Sequence, residues 1–412
     1  MEAYLLDWAN LLLRWLHVIV AIAWIGSSFY FVFLDNNLLA PTADDLKKKG
    51  VDGAMWAVHG GGFYNPQKYM VAPQGGIIDS KLHWFYWESY STWLSGFALF
   101  CVLYLWNANA FLIDKQVFDW SPMAAGFTAV GFLVAFWFIY DTICRVFGFR
   151  QNGERTVALL LIVVVAAATW LACHLFSGRA AFLIIGAMLA TTMSANVFFW
   201  IIPGQRKVVA AMTGGGAYNA DGLAIHGKRG KQRSVHNTYF TLPVLIAMLS
   251  NHYSFLYSHS HKWIVLFVLM MAGALIRQFF VQRHGWHLGR AKNPWPFAAV
   301  GVVLLIGLIA WMRPAPSAAS ATAGAPSAAA AAPVGYAQLR PVLEQRCYSC
   351  HGEAVQMKNL RLDSEEQVAQ HAQQIYQQAV VTKIMPLSNA TQMTDDERAL
   401  VARWFEARGA GK

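Results

Sequence analysis

Eight apolar runs, near residues 11–34, 86–106, 124–144, 157–176, 180–202, 239–257, 263–281 and 296–312, constrain this chain more than any other feature. A helix needs roughly 20 residues to cross the ~30 Å hydrocarbon core of a bilayer, and each run is about that long. Composition agrees, because only 13% of residues are charged where soluble chains carry about 25%. The expected fold class is all-α: an eight-helix transmembrane bundle over residues 1–312, with the lipid bilayer as its first partner. The sixth run, "TLPVLIAMLSNHYSFLY", carries Pro243, Asn251 and His252. Polar residues at such depth are costly and point to function.

Loop charge sets the orientation. The loops after helices 1, 3, 5 and 7 carry 5, 3, 6 and 3 Lys/Arg, and those after helices 2, 4 and 6 carry one each. Positive residues stay on the cytoplasmic side, so both termini are expected to be periplasmic in a bacterial inner (cytoplasmic) membrane. Residues 334–412 hold nine Lys/Arg and nine Asp/Glu, so the net charge of +10 belongs to the membrane part. Basicity therefore reports topology, and no nucleic-acid partner is expected. The amino-terminal segment has Glu2 and Asp7 and lacks the basic start of a cleavable signal, so the first helix is expected to be retained.

After the last run comes "RPAPSAASATAGAPSAAAAAP", 313–333, an Ala/Pro/Ser-rich linker with nothing to pack. It leads to a small domain at 334–412 containing "RCYSCHG". Cys347, Cys350 and His351 match the C-x-x-C-H pattern, in which two thiols reach the vinyl groups of a haem and the imidazole ligates its iron. A zinc site would want a further Cys/His pair, and this segment offers only His371. Haem c, covalently held, is the expected cofactor. In bacteria such attachment occurs outside the cytoplasm, where the charge bias also puts the carboxyl terminus. In "KIMPLSN" Met385 precedes Pro386 and is the expected second axial ligand, with His371 as its chief rival. Met357 is too close to His351 to swing round, and Met393 starts the final helix, where "TDDE" reads as an N-cap at Thr394. The domain resembles small class I cytochromes c.

Inside the membrane part, Glu88, Asp141, Asn196 and Arg277 fall in the cytoplasmic half, with His83, Arg145, His236 and Asn237 just beyond. Polar groups converging at one depth suggest a ligand-lined cavity, while the plainer reading pairs Asp141 with Arg145 at i,i+4. The outer half holds His17, His174 and His252, which could include ligands of a second haem. Two inner loops share a phrase, "GGGFYN" at 60–65 and "GGGAYN" at 214–219, and the segments that follow them, 65–87 and 219–240, read as long loops.

The phrase "LHVIVAIAWIGSSFYF" is similar to the first helix of some membrane haem b proteins, including the membrane protoporphyrinogen oxidase family. Taken together, "WLHVIVAIAWIGSSFYF", "GGGFYNPQKY", "HWFYWESYSTWLSG" and "HNTYFTLPVLIAMLSNHY", followed by a tether and a haem c motif, resemble the membrane-integral, cytochrome c-fused urate oxidases, also called urate hydroxylases. The resemblance implies oxidation of urate to 5-hydroxyisourate, electrons passing to haem c and on to a soluble cytochrome c or other respiratory-chain acceptor, and no hydrogen peroxide. Such chemistry needs cations and amides around the ring edge, and Arg145, Arg277, Asn196, Asn237, His83 and His236 are the residues of suitable type. A cytoplasmic-half pocket and an outer-face haem lie too far apart for one electron hop across a ~30 Å core. Either a second cofactor such as haem b, held by His17, His174 or His252, bridges that gap, or the substrate sits closer to the outer face. The competing reading is a haem b/haem c conduit from quinol to a soluble cytochrome, which needs histidines paired across helices.

Overall fold

The computed structural model describes residues 2–69, 81–115, 117–213, 223–313, 334–353, 356, 360–381, 383–386, 389 and 391–409. The chain is mostly helical. Its long helices are α1 Glu2–Asn37, α2 Trp87–Phe100, α3 Pro122–Phe147, α4 Gly153–Leu175, α5 Gly178–Asn196, α6 Ile202–Thr213, α7 Leu223–Leu249, α8 Lys262–His287 and α9 Trp295–Trp311. Among the described residues five stretches are long and apolar enough to cross a membrane: Tyr4–Asn37, Pro122–Phe147, Gly153–Leu175, Gly178–Met212 and Lys262–His287. The shorter α9 is also apolar. Exposed Trp15, Ile22, Phe127, Leu159 and Ile309 cover their outer faces, as side chains meant for lipid would.

Helix α5 sits deepest, with Ala180, Ala181, Phe182, Ile184 and Ile185 all buried, and it packs against α3, α4 and α7. Small residues allow this closeness: a Cβ on Gly186 would stand 2.9 Å from the Cβ of Ala247 on α7. Ser121 and Ser177 start α3 and α5 by accepting the N–H of Ala124 and Ala180. Between α5 and α6 lies one wide turn, Val197–Ile201, with i→i+5 hydrogen bonding. Pro203, just after it, has no N–H to continue a regular ladder.

Helix α7 departs from the sequence expectation. Residues 223–238, which the sequence reads as part of a long loop, form the first half of this helix, with Gln232 and Arg233 buried. The apolar half follows, Pro243 lies inside it, and the helix gives way at Leu249 to a tight turn, Ser250–His252. Asn251 and His252 therefore stand past the helix, not within it.

The first Gly-rich phrase has a structural explanation. Gly60 and Gly61, with φ of +58° and +80°, make the two-residue turn of a hairpin between β2 Ala57–His59 and β3 Gly62–Tyr64. Strands β1 Gly53–Ala54 and β4 Gln67–Lys68 pair antiparallel beside it, and Asn65 donates its amide to the Met55 carbonyl at 2.9 Å. The second phrase, 214–219, lies outside the described residues, as do most of the linker and residues 70–80 of the first long loop.

A second core is built around Leu339, Leu343, Val368, Met393, Val401 and Trp404. Its main helices are α10 Tyr336–Arg346 and α11 Asp395–Gly409, with a single turn at Tyr348–His351. Thr394 starts α11 as the N-cap that "TDDE" suggests, and the structure adds a reciprocal bond that makes it a capping box: Thr394 Oγ accepts the Glu397 N–H at 3.2 Å, and Glu397 accepts the Thr394 N–H at 2.7 Å.

Candidate functional site

Three polar arrangements stand out, two among the long helices and one in the carboxyl-terminal core. The first is a buried network where α3, α5 and α7 meet. The Asn196 amide donates to the Tyr140 hydroxyl and to Asn237 Oδ1, both at 2.9 Å, and the Asn237 amide donates to the Met193 carbonyl at 2.9 Å. The Tyr140 hydroxyl also lies 2.8 Å from His236 Nδ1. One helical position further on α3, Asp141 receives Arg233 Nη2 at 2.7 Å, Arg145 Nε at 2.7 Å and Trp200 Nε1 at 2.8 Å. Arg233 lies over the rings of Tyr140 and Trp200, at 4.9 and 5.1 Å. Nearly every polar group here is used, as burial demands; Asn196 Oδ1 and Arg233 Nη1 are the two left without a protein partner.

The second arrangement is a cavity of about 410 Å³ between the ends of α1 and α8, lined by Phe29, Phe33, Arg277 and Phe280 below and Arg283, His284 and His287 above. Arg277 is 2% exposed, stacks on Phe29 at 4.1 Å, and has Nε and Nη2 buried without partners.

Of the six sequence candidates for a pocket, the structure brings Asn196, Asn237 and His236 together and ties Arg145 to them through Asp141. Arg277 belongs to the separate cavity. His83 stands apart, largely exposed, 3.9 Å from Glu88 and edge-on to Phe85. Sequence reasoning missed Tyr140, Trp200 and Arg233. The last reads from the sequence as a loop charge, because its neighbours Gly230 and Gln232 give no apolar signal that places it on a packed helix.

The three outer histidines differ. His17 Nδ1 lies 3.1 Å from the Thr92 carbonyl, which only accepts, so that nitrogen carries the proton and Nε2 keeps a free lone pair. The ring fits because residue 96 is glycine: a Cβ there would come within 2.7 Å of His17 Cε1. His174 packs on Trp170 of its own helix and bonds its carbonyl at 2.7 Å, and His252 is exposed.

In the carboxyl-terminal core Cys347 caps the single turn Tyr348–His351, and Cys350 lies within it. His351 Nδ1 lies 3.2 Å from the Leu360 carbonyl, which again leaves Nε2 unprotonated and free to ligate a metal. The Met385 loop is held by backbone: its N–H donates to the Gln378 carbonyl at 3.0 Å, and buried Arg398 donates to its carbonyl at 2.8 Å. His371 is turned to Gln374 at 3.0 Å. Two thiols, an imidazole oriented through its far nitrogen and a clamped thioether loop are the donor set a covalent haem requires, so the residues fit the group.

No curated protein and no solved structure matches the chain. A family model described as urate oxidase N-terminal matches residues 3–313, which is more than half of the chain and spans all nine long helices of the first part. The chain therefore belongs to the urate oxidase N-terminal family.

Proposed function

We propose that this protein is a multi-pass enzyme of the bacterial inner membrane that oxidises urate to 5-hydroxyisourate without producing hydrogen peroxide. The family match over residues 3–313 carries the reading, because it attaches urate chemistry to the same chain that bears the C-x-x-C-H motif. The reaction adds one water to urate and releases two protons and two electrons. On this reading the apolar runs form an eight-helix bundle with both termini periplasmic, 313–333 is a tether, and 334–412 is a class I cytochrome c domain.

Cys347 and Cys350 would anchor haem c, and His351 and Met385 would ligate its iron. Bound there, haem c would supply a one-electron acceptor whose potential a thioether ligand raises. The Leu360 carbonyl fixes the His351 ring, and Arg398 fixes the loop that presents Met385. Electrons would leave to a soluble cytochrome c or another respiratory acceptor. The protein's share of urate oxidation is to hold a planar anion, accept its protons and admit one water. Among the outer histidines, His17 alone has the geometry of a ligand for a haem b relay. With His174 turned onto its own helix and His252 exposed, the paired histidines that the quinol conduit requires gain no support.

The test is an anaerobic difference spectrum of the purified full-length protein. Addition of urate should reduce the haem c, two equivalents per urate consumed, with no peroxide formed. A haem c that stays oxidised in the presence of excess urate removes the enzyme reading.

A further inference from the structure

We propose that the cavity between the ends of α1 and α8 is the seat of the substrate, a planar purine monoanion bound edge-on by Arg277; this rests on the urate reading above. Arg277 is a buried guanidinium whose Nε and Nη2 have no partner, and no carboxylate is paired with it among the described residues. A buried cation left unpaired is costly, so its retention asks for a bound anion to complete it. Nε and Nη2 lie on one edge of the guanidinium, with parallel N–H vectors, and that edge is the fork that binds two adjacent acceptors at once. Urate at neutral pH offers such a pair, a deprotonated ring nitrogen beside a carbonyl oxygen.

The surroundings narrow the ligand further. Phe29 covers one face of the guanidinium at 4.1 Å, so a ligand reaches Arg277 in the plane of its edge. Phe33 and Phe280 supply apolar walls on which a flat ring can lie. The cavity, about 410 Å³, is within the range of small-molecule sites. From Arg277 to His287 the lining climbs roughly 15 Å along α8, at 1.5 Å per residue, and it passes Arg283 and His284 on the way. That gradient, from a cationic mouth to a single buried fork, draws an anion inward and pairs it at the bottom. Asp35, at the same end of α1, does not compete for the fork, because its carboxylate is taken up by Lys68 of β4.

The assignment separates binding from the buried network at Tyr140 and Asn196. There most of the groups that could grip a purine grip one another, and only Asn196 Oδ1 and Arg233 Nη1 are left over, on different residues rather than on one fork. Arg277 is the cation among the sequence candidates that is buried and still has its hydrogen-bonding edge to give.

The experiment measures equilibrium urate binding to the full-length protein in phosphatidylcholine nanodiscs, pre-reduced so that bound urate is not consumed. Arg277→Gln should weaken binding by about a hundredfold, and Arg277→Lys, which keeps the charge but loses the fork, by about tenfold. Val32→Trp, which fills the cavity from α1 and leaves Arg277 intact, should also abolish binding, and it carries the test if Arg277→Gln fails to fold. Wild-type affinity in Arg277→Gln, or in Val32→Trp, overturns the assignment while the wild type still oxidises urate. A wild type that neither binds urate nor is reduced by it fails the urate reading, and this assignment with it.

Discussion

Replacing Asp141 by Ala tests how the first part of the molecule tolerates charge in its interior. The carboxylate holds Arg233 Nη2, Arg145 Nε and Trp200 Nε1 within 2.8 Å, but the two cations are not equivalent. The Arg233 side chain is 3% exposed and the Arg145 side chain 63%. Removing the partner of a buried charge costs about 3–5 kcal/mol, whereas an exposed pair contributes at most ~1 kcal/mol. At roughly 2 °C per kcal/mol for a chain this large, Asp141→Ala should lower the apparent melting temperature by about 6–10 °C. Arg145→Ala should lower it by no more than about 2 °C. Asp141→Asn keeps an acceptor for Trp200 and loses the charge, so it should fall between them. The assay is thermal unfolding of the detergent-solubilised full-length protein at a single scan rate, because unfolding of such proteins is a kinetic quantity. If Asp141→Ala melts within 2 °C of wild type, or no lower than Arg145→Ala, Arg233 does not depend on this carboxylate and the argument fails.

Gly96→Ala should displace the His17 ring, since the new Cβ would lie 2.7 Å from His17 Cε1. A loss of any haem b in a pyridine haemochrome measurement, with haem c unchanged, is the expected result; haem b retained at wild-type stoichiometry would remove His17 from the relay. In the carboxyl-terminal core, burial works to raise the Glu397 carboxyl, and the Arg346 guanidinium with the Thr394 N–H outweighs it, so the group is held below the usual carboxylate range. A depressed folded value means stabilisation that is full above the unfolded pKa of about 4.3 and is lost as pH falls through the folded value. Glu397→Gln preserves the capping box and should flatten that acid limb of stability for this part of the chain, followed by near-UV circular dichroism at pH 2–6; an unchanged limb would show that the Arg346 pair contributes nothing.

How much of this was legible in the sequence depends on which interaction decides each element. Apolar length alone located α1, α3, α4, α5 and α8, because burial in lipid or core follows hydropathy directly. The N-cap at Thr394 is equally local, while the return bond from Thr394 N–H to Glu397 comes from the structure. The first half of α7 was not legible: "HGKRGKQRSV" has the composition of a loop and is helical because α5 and α6 pack beside it. For the same reason Arg233 passed as a surface charge. The polar residues that the sequence suggests as one pocket are divided by the structure between two places. Asn196 and Arg277 share an approximate depth, and depth says nothing about which way a helix turns its residues. Asn196 faces α3, whereas Arg277 faces α1. The glycine phrase at 60–65 is accounted for by the two positive-φ positions of a tight hairpin turn.

The wide turn Val197–Ile201 has a consequence for phase. A turn with one residue more than the regular repeat rotates everything after it by about 100° relative to a continuous helix. Helices α5 and α6 therefore share an axis but not a wheel: Asn196 reaches Tyr140 before the extra residue, and after it Arg206 lies over Trp84 and Tyr86. A single helical projection drawn from Gly178 to Thr213 would put one of these two contacts on the wrong face. The bulge lets one rod address two neighbours in different directions, so the length of this segment is under tighter constraint than the identity of the apolar residues inside it.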